Sequence, residues 1–79
     1  MLLFAAQYKK IGARIVYYRK LKGMTQEYLA ELVGISPQYL SKIENGNYKN
    51  SVSFSVLIRI AEKLHVKMTQ LVQDIDSEE

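Results

Sequence analysis

Within the run PQYLSKIEN, residues Pro37, Gln38, Ser41, Lys42 and Asn45 recur at three- and four-residue steps, so a helix here would carry them on one face. That face holds two carboxamides, a hydroxyl and an ammonium. It holds no carboxylate, because Glu44 falls on a different side. A solvated helix usually mixes both charge signs. This one offers only hydrogen bonds and positive charge, which suits an anionic partner. Leu40 and Ile43 form the opposite, apolar stripe. Taken alone, the same pattern also fits a polar surface helix, so the flanking residues must decide.

Those residues supply the elements that would position the face. Thr25 is a good N-cap, and Glu27 adds an acid to the first turn, where the helix dipole favours it. Leu29, Ala30, Leu32 and Val33 follow at helical spacing. Gly34 can end that helix in the left-handed conformation, which glycine adopts without strain. Ser36-Pro37 restarts the chain, with serine as cap and proline at the first helical position, where its missing N–H costs nothing. Asn45-Gly46 stops it. Ala30, Gly34, Leu40 and Ile43 therefore stand at the spacing of a helix-turn-helix unit. The alanine lets the second helix cross closely, the glycine makes the turn, and Leu40 and Ile43 pin the second helix to the body.

The run GMTQEYLAELVGISPQYLSKIENG resembles the phage-repressor/Cro-type (XRE-like) helix-turn-helix DNA-binding family. IGARIVYYRKLK upstream and LIRIAEKLHV downstream extend the match, so that it covers roughly residues 8 to 72. The resemblance implies an all-α fold: a compact five-helix bundle of the lambda-repressor-like type, with the helix-turn-helix at helices 2 and 3. The whole chain, 1–79, then reads as a single DNA-binding domain followed by an acidic tail from 74 to 79.

The resemblance also implies roles for individual residues. The recognition helix, about 37–45, would enter the major groove and read base edges. Gln38 suits adenine, because a carboxamide can bond it bidentately, and Lys42 can reach guanine O6 and N7. Ser41 can donate or accept. Pro37 stands where some family members carry a base-reading glutamine; its ring can instead pack on a thymine methyl. Ser36, Tyr39, Asn45, Asn47 and Lys49 would hold the DNA backbone. Gln26, at the start of the first helix of the unit, would bind a phosphate, although a solvated glutamine is the plainer alternative. Arg19 is set apart from the other cations: in the family an arginine at this position pairs with the glutamate that ends the recognition helix, here Glu44. Arg19 is therefore expected to serve folding before DNA contact.

Composition narrows the class. The chain has 79 residues, 48 % of them hydrophobic, enough for one small domain. It has no cysteine, which excludes disulfides, thiolate zinc sites and a thiol nucleophile. One histidine, no Gly-rich phosphate loop and no acid cluster outside the tail leave nothing for an enzyme to work with. No metal, cofactor or small-molecule ligand is expected. The opening MLLFAA is too short for a membrane span and lacks a cation ahead of it, so a cytoplasmic, nucleoid-associated protein is expected. Net charge is +3, yet residues 1 to 67 hold 11 basic against 4 acidic side chains, a body that favours a polyanion.

The remaining segments frame the unit. MLLFAAQ is either a frayed start or a packing surface for a second subunit. A first helix, 8 to 22, would place Ile11, Ile15 and Tyr18 inward and carry six basic residues, some facing phosphate. The loop NYKNSV is about two residues longer than is usual in the family, with Val52 where a proline often stands. Ser53 would cap a fourth helix to about Leu64, with Phe54, Leu57, Ile58, Ile60, Ala61 and Leu64 on its apolar face. His65 is a helix-end residue. A short fifth helix, about 68 to 73, would fray easily, since Lys67 stands where Ser or Thr caps better. Residues 76 to 79 are expected to be disordered. One domain reads few base pairs, so useful specificity implies a homodimer on a palindromic operator. Small relatives in the family include Cro-type repressors, restriction–modification controller proteins and antitoxins. The competing function is a protein-interaction or antitoxin-type module on the same fold, which would have no need of an acid-free outer face.

Overall fold

The computed structural model describes residues 2–46 and 52–73, with side chains from Ala6 onward. Among the described residues there are five helices and no strand: α1 (Leu2–Leu21), α2 (Gln26–Val33), α3 (Pro37–Asn45), α4 (Phe54–Leu64) and α5 (Met68–Val72). The acidic tail and the loop residues Asn47, Tyr48, Lys49 and Asn50 lie outside the described residues.

Helix α1 begins at Leu2, six residues earlier than the pattern of apolar positions indicates. The upstream segment LLFAAQ contains good helix formers and neither glycine nor proline, so nothing stops the helix from propagating through it. The helix-turn-helix follows from its local chemistry. Thr25 Oγ1 accepts from the Tyr28 amide at 3.0 Å. Gly34 closes α2 at φ 87°, and its amide and that of Ile35 return to the Ala30 carbonyl at 2.9 and 3.0 Å. Ser36 Oγ then accepts from the Tyr39 amide at 3.0 Å to open α3.

One core joins all five helices. Ile15, Leu29, Ala30, Leu40, Ile43, Ile60, Leu64 and Leu71 are fully buried within it. Helix α1 lies across α3, α4 and α5, while α2 bridges α3 and α4. Leu32, by contrast, is only half-buried.

Two expectations for the C-terminal half are corrected. Phe54 and Ile58 are exposed, at 65 % and 37 %, rather than part of the inner stripe of α4. Val56, Leu57, Ile60, Ala61 and Leu64 form that stripe, and Phe54 and Ile58 sit one step further around the helix. Ser53 occupies the N-cap position, but its hydroxyl pairs with Ser55 Oγ at 2.8 Å instead of an α4 amide. Helix α5 is tied to α1 by hydrogen bonds within the chain. Gln70 Oε1 accepts from the Lys67 amide at 2.9 Å, the half of a capping box that needs no Ser or Thr at position 67. Gln70 Nε2 reaches Tyr18 Oη at 3.3 Å, and Arg14 Nη1 donates to the carbonyls of Leu71, at 3.2 Å, and Gln73. The last contact neutralises the carbonyl end of the short helix with a cation from α1.

Candidate nucleic-acid interface

The outer face of α3 is open to solvent. Gln38, Lys42 and Asn45 are exposed along it, and Pro37 and Ser41 are half-buried at its margin. Asn45 Nδ2 lies 3.5 Å from Ser41 Oγ, which links two of these side chains one turn apart. Ser36 is exposed, and its hydroxyl hydrogen stays available after the oxygen has capped α3. Tyr39 is half-buried, packed against the core. Asn47 and Lys49 are among the loop residues not described.

The opposite side of α3 is held by a polar knot. Arg19 Nε donates to Glu44 Oε2 at 2.7 Å, and Arg19 Nη2 to Glu44 Oε1 at 3.1 Å. Both residues are buried, at 8 % and 7 % exposure. Arg19 Nη1 also bonds the Met24 carbonyl at 3.0 Å. Gln26 Nε2 donates to Glu44 Oε1 at 3.0 Å. One carboxylate therefore ties α1, α2 and α3 together with three donors, and the desolvated charges are each answered. The Gln26 carboxamide points inward in this arrangement. Gln26 stands at the first position of α2, where the Tyr28 amide of the same turn is taken by Thr25 Oγ1.

A second seam fixes α3 along its C-terminal half. A Cβ on Gly12 of α1 would stand 2.4 Å from the carbonyl oxygens of both Ile43 and Glu44. A Cβ on Gly46 would stand 2.7 Å from Lys9 Cα. The two helices approach backbone to backbone because neither glycine has a side chain. Gly12 was legible as a signal: glycine inside an otherwise helical pattern costs about 1 kcal/mol against alanine, and a close helix approach is a common reason to keep it. Arg14 was not. Its sequence neighbours place it among six cations, and only the fold aims it at α5 instead of solvent.

Geometry and ancestry agree. A family model described as helix-turn-helix matches residues 15–71. The chain is 38 % identical over 69 residues to the HTH-type transcriptional regulator SinR of Bacillus licheniformis, a match covering 87 % of this chain and 61 % of that protein. Among solved structures, the restriction-modification controller protein C.AhdI from Aeromonas hydrophila superposes with a TM-score of 0.77 at 32 % identity, covering 84 % of this chain and 97 % of that one. The master regulator for biofilm formation SinR, solved in complex with DNA, superposes with a TM-score of 0.72 at 38 % identity, over 80 % of this chain and 98 % of that one. The bundle of α1 to α5, the Ala30–Gly34–Leu40–Ile43 frame and these matches lead to one assignment: the chain belongs to the phage-repressor/Cro-type helix-turn-helix family.

Proposed function

We propose that this chain binds double-stranded DNA sequence-specifically as a transcriptional regulator of the repressor or controller type. It acts on nucleoid DNA in the cytoplasm as a homodimer, without cofactor or enzymatic activity. The observation that carries this reading is the outer face of α3. Gln38, Ser41, Lys42 and Asn45 present donors, acceptors and positive charge without an acid, and the buried Glu44 knot holds the helix that carries them. Pro37, Gln38, Ser41 and Lys42 read base edges, while Gln26, Ser36, Tyr39, Asn45, Asn47 and Lys49 hold the backbone. For Gln26 the first-turn backbone supplies that contact. Affinity divides into a salt-dependent phosphate component and a base-reading component. Two α3 helices spaced about 34 Å apart would address adjacent major grooves on one side of the duplex.

The experiment is selection from random duplex DNA by the purified chain at two salt concentrations, repeated with Gln38→Ala and Lys42→Ala. An enriched two-fold motif that survives the higher salt, and that shifts at defined positions in the variants, is the expected result. Enrichment of nothing, with binding that vanishes as salt rises, would replace this reading with a protein-interaction module. A motif unaffected by both variants would overturn the assignment of the base readers alone.

A further inference from the structure

We propose that Lys9 of α1 is a phosphate contact that carries the DNA interface beyond the helix-turn-helix unit, at the exit of the recognition helix. The inference rests on the DNA-binding reading above. Gly46 ends α3 in the left-handed conformation, at φ 64°, and Lys9 fills the space that a side chain there would take. A Cβ on Gly46 would meet Lys9 Cα at 2.7 Å and Lys9 Cγ at 2.8 Å. The main chain of α1 thus fixes where this side chain starts, against Gly46, the residue that follows Asn45 at the end of the outer face.

Charge gives this placement a purpose. The C-terminus of α3 gathers unpaired carbonyls and partial negative charge, which repel a phosphate. A duplex whose major groove holds α3 brings a sugar–phosphate strand past each end of that helix. The N-terminal end meets it with amides; the C-terminal end has none to offer. Lys9 is exposed, and among the described residues no carboxylate pairs with it. Its ammonium is placed to offset the carbonyl end and to neutralise the passing strand. Because it touches phosphate and no base, it contributes to affinity and register, not to sequence choice.

The test uses the full chain and fluorescence anisotropy on two duplexes, the selected operator and a random sequence of equal length, over a series of salt concentrations. Lys9→Gln, Lys9→Arg and Lys42→Ala are compared with the wild type. Lys9→Gln is expected to weaken both duplexes by the same factor, roughly 3–10-fold at low salt, and to reduce the slope of log K against log salt by about 0.9 per bound protomer. Lys9→Arg restores both, and the thermal midpoint of the free protein stays at the wild-type value. An unchanged slope in Lys9→Gln overturns the proposal. So does a lowered thermal midpoint with an unchanged slope, which would make Lys9 only a partner of the α3 dipole. If the wild type binds neither duplex, the DNA-binding reading falls and Lys9 falls with it. If the wild type binds and Lys42→Ala responds while Lys9→Gln does not, only the present inference fails.

Discussion

Gly12 and Glu44 meet backbone to backbone: a Cβ on the glycine would stand 2.4 Å from the glutamate carbonyl oxygen, and equally close to that of Ile43. Neither atom is the free end of a flexible side chain, so Gly12→Ala must push α1 and α3 apart. Alanine would favour the helix itself by about 1 kcal/mol. Overpacking of this kind costs about 1–3 kcal/mol and is expected to exceed that gain. Urea unfolding should show a net loss of stability. The displaced α3 should also lose discrimination between operator and random DNA at temperatures where the variant is folded. A stability equal to or above wild type would mean that the helices separate without cost and that the seam does not seat α3.

The buried Arg19–Glu44 pair predicts an asymmetry between single and double substitutions. Arg19→Ala leaves a carboxylate at 7 % exposure with only Gln26 as a charge-stabilising side-chain donor. Breaking a buried pair from one side costs about 3–5 kcal/mol. Arg19→Met with Glu44→Leu removes both charges and is expected to lose clearly less than the sum of the single variants, a coupling that a double-mutant cycle reads directly. If Arg19→Ala keeps its full stability and only weakens DNA binding, Arg19 is a DNA contact and the structural role assigned to it is wrong.

Arg14 is the tie between α1 and α5. A single guanidinium nitrogen, Nη1, donates to the carbonyls of both Leu71 and Gln73, and a lysine ammonium ends one bond short of that position. Arg14→Ala and Arg14→Lys should therefore behave alike. Each is expected to lower stability by about 1 kcal/mol, since the contact is partly exposed, and to raise amide exchange selectively in α5. Uniform exchange across the bundle in both variants would show that α5 is held by Leu71 and the core alone.

How much of this was legible depended on whether a residue acts locally. Thr25, Gly34, Ser36 and Pro37 cap and turn the chain through bonds to residues within a few positions, so their types and spacing define the helix-turn-helix boundaries to the residue. The start of α1 was not legible, because LLFAAQ has the propensity of a helix but no cap to mark its beginning. Phe54 and Ile58 were read as inward and Val56 was left out, because seven apolar residues crowd α4 and the buried stripe runs through Val56 and Leu57, with Phe54 and Ile58 beside it. The inward turn of Gln26 could not be read from position alone. It follows from Glu44, which lies 18 residues away and accepts from the carboxamide on the oxygen that also takes Arg19 Nη2.

Phe54 and Ile58 also carry the prediction for assembly. They stand one turn apart on α4, at 65 % and 37 % exposure, where exposed apolar pairs are unfavourable in a monomer. Met68 and Val72 of α5 are half-buried, packed against the same core. If the homodimer pairs through α4, Phe54 and Ile58 meet their copies across a two-fold axis, and each substitution enters the interface twice. Ile58→Glu alone, or with Phe54→Ser, should therefore convert the dimer to a monomer in sedimentation equilibrium. The helical content should persist, because neither side chain belongs to the core. Operator affinity should fall by far more than affinity for random duplex, since a monomer reads only one half-site. A variant that remains dimeric and binds the operator as the wild type does would move the interface away from α4, and the N-terminal turns of α1 would be the next surface to substitute.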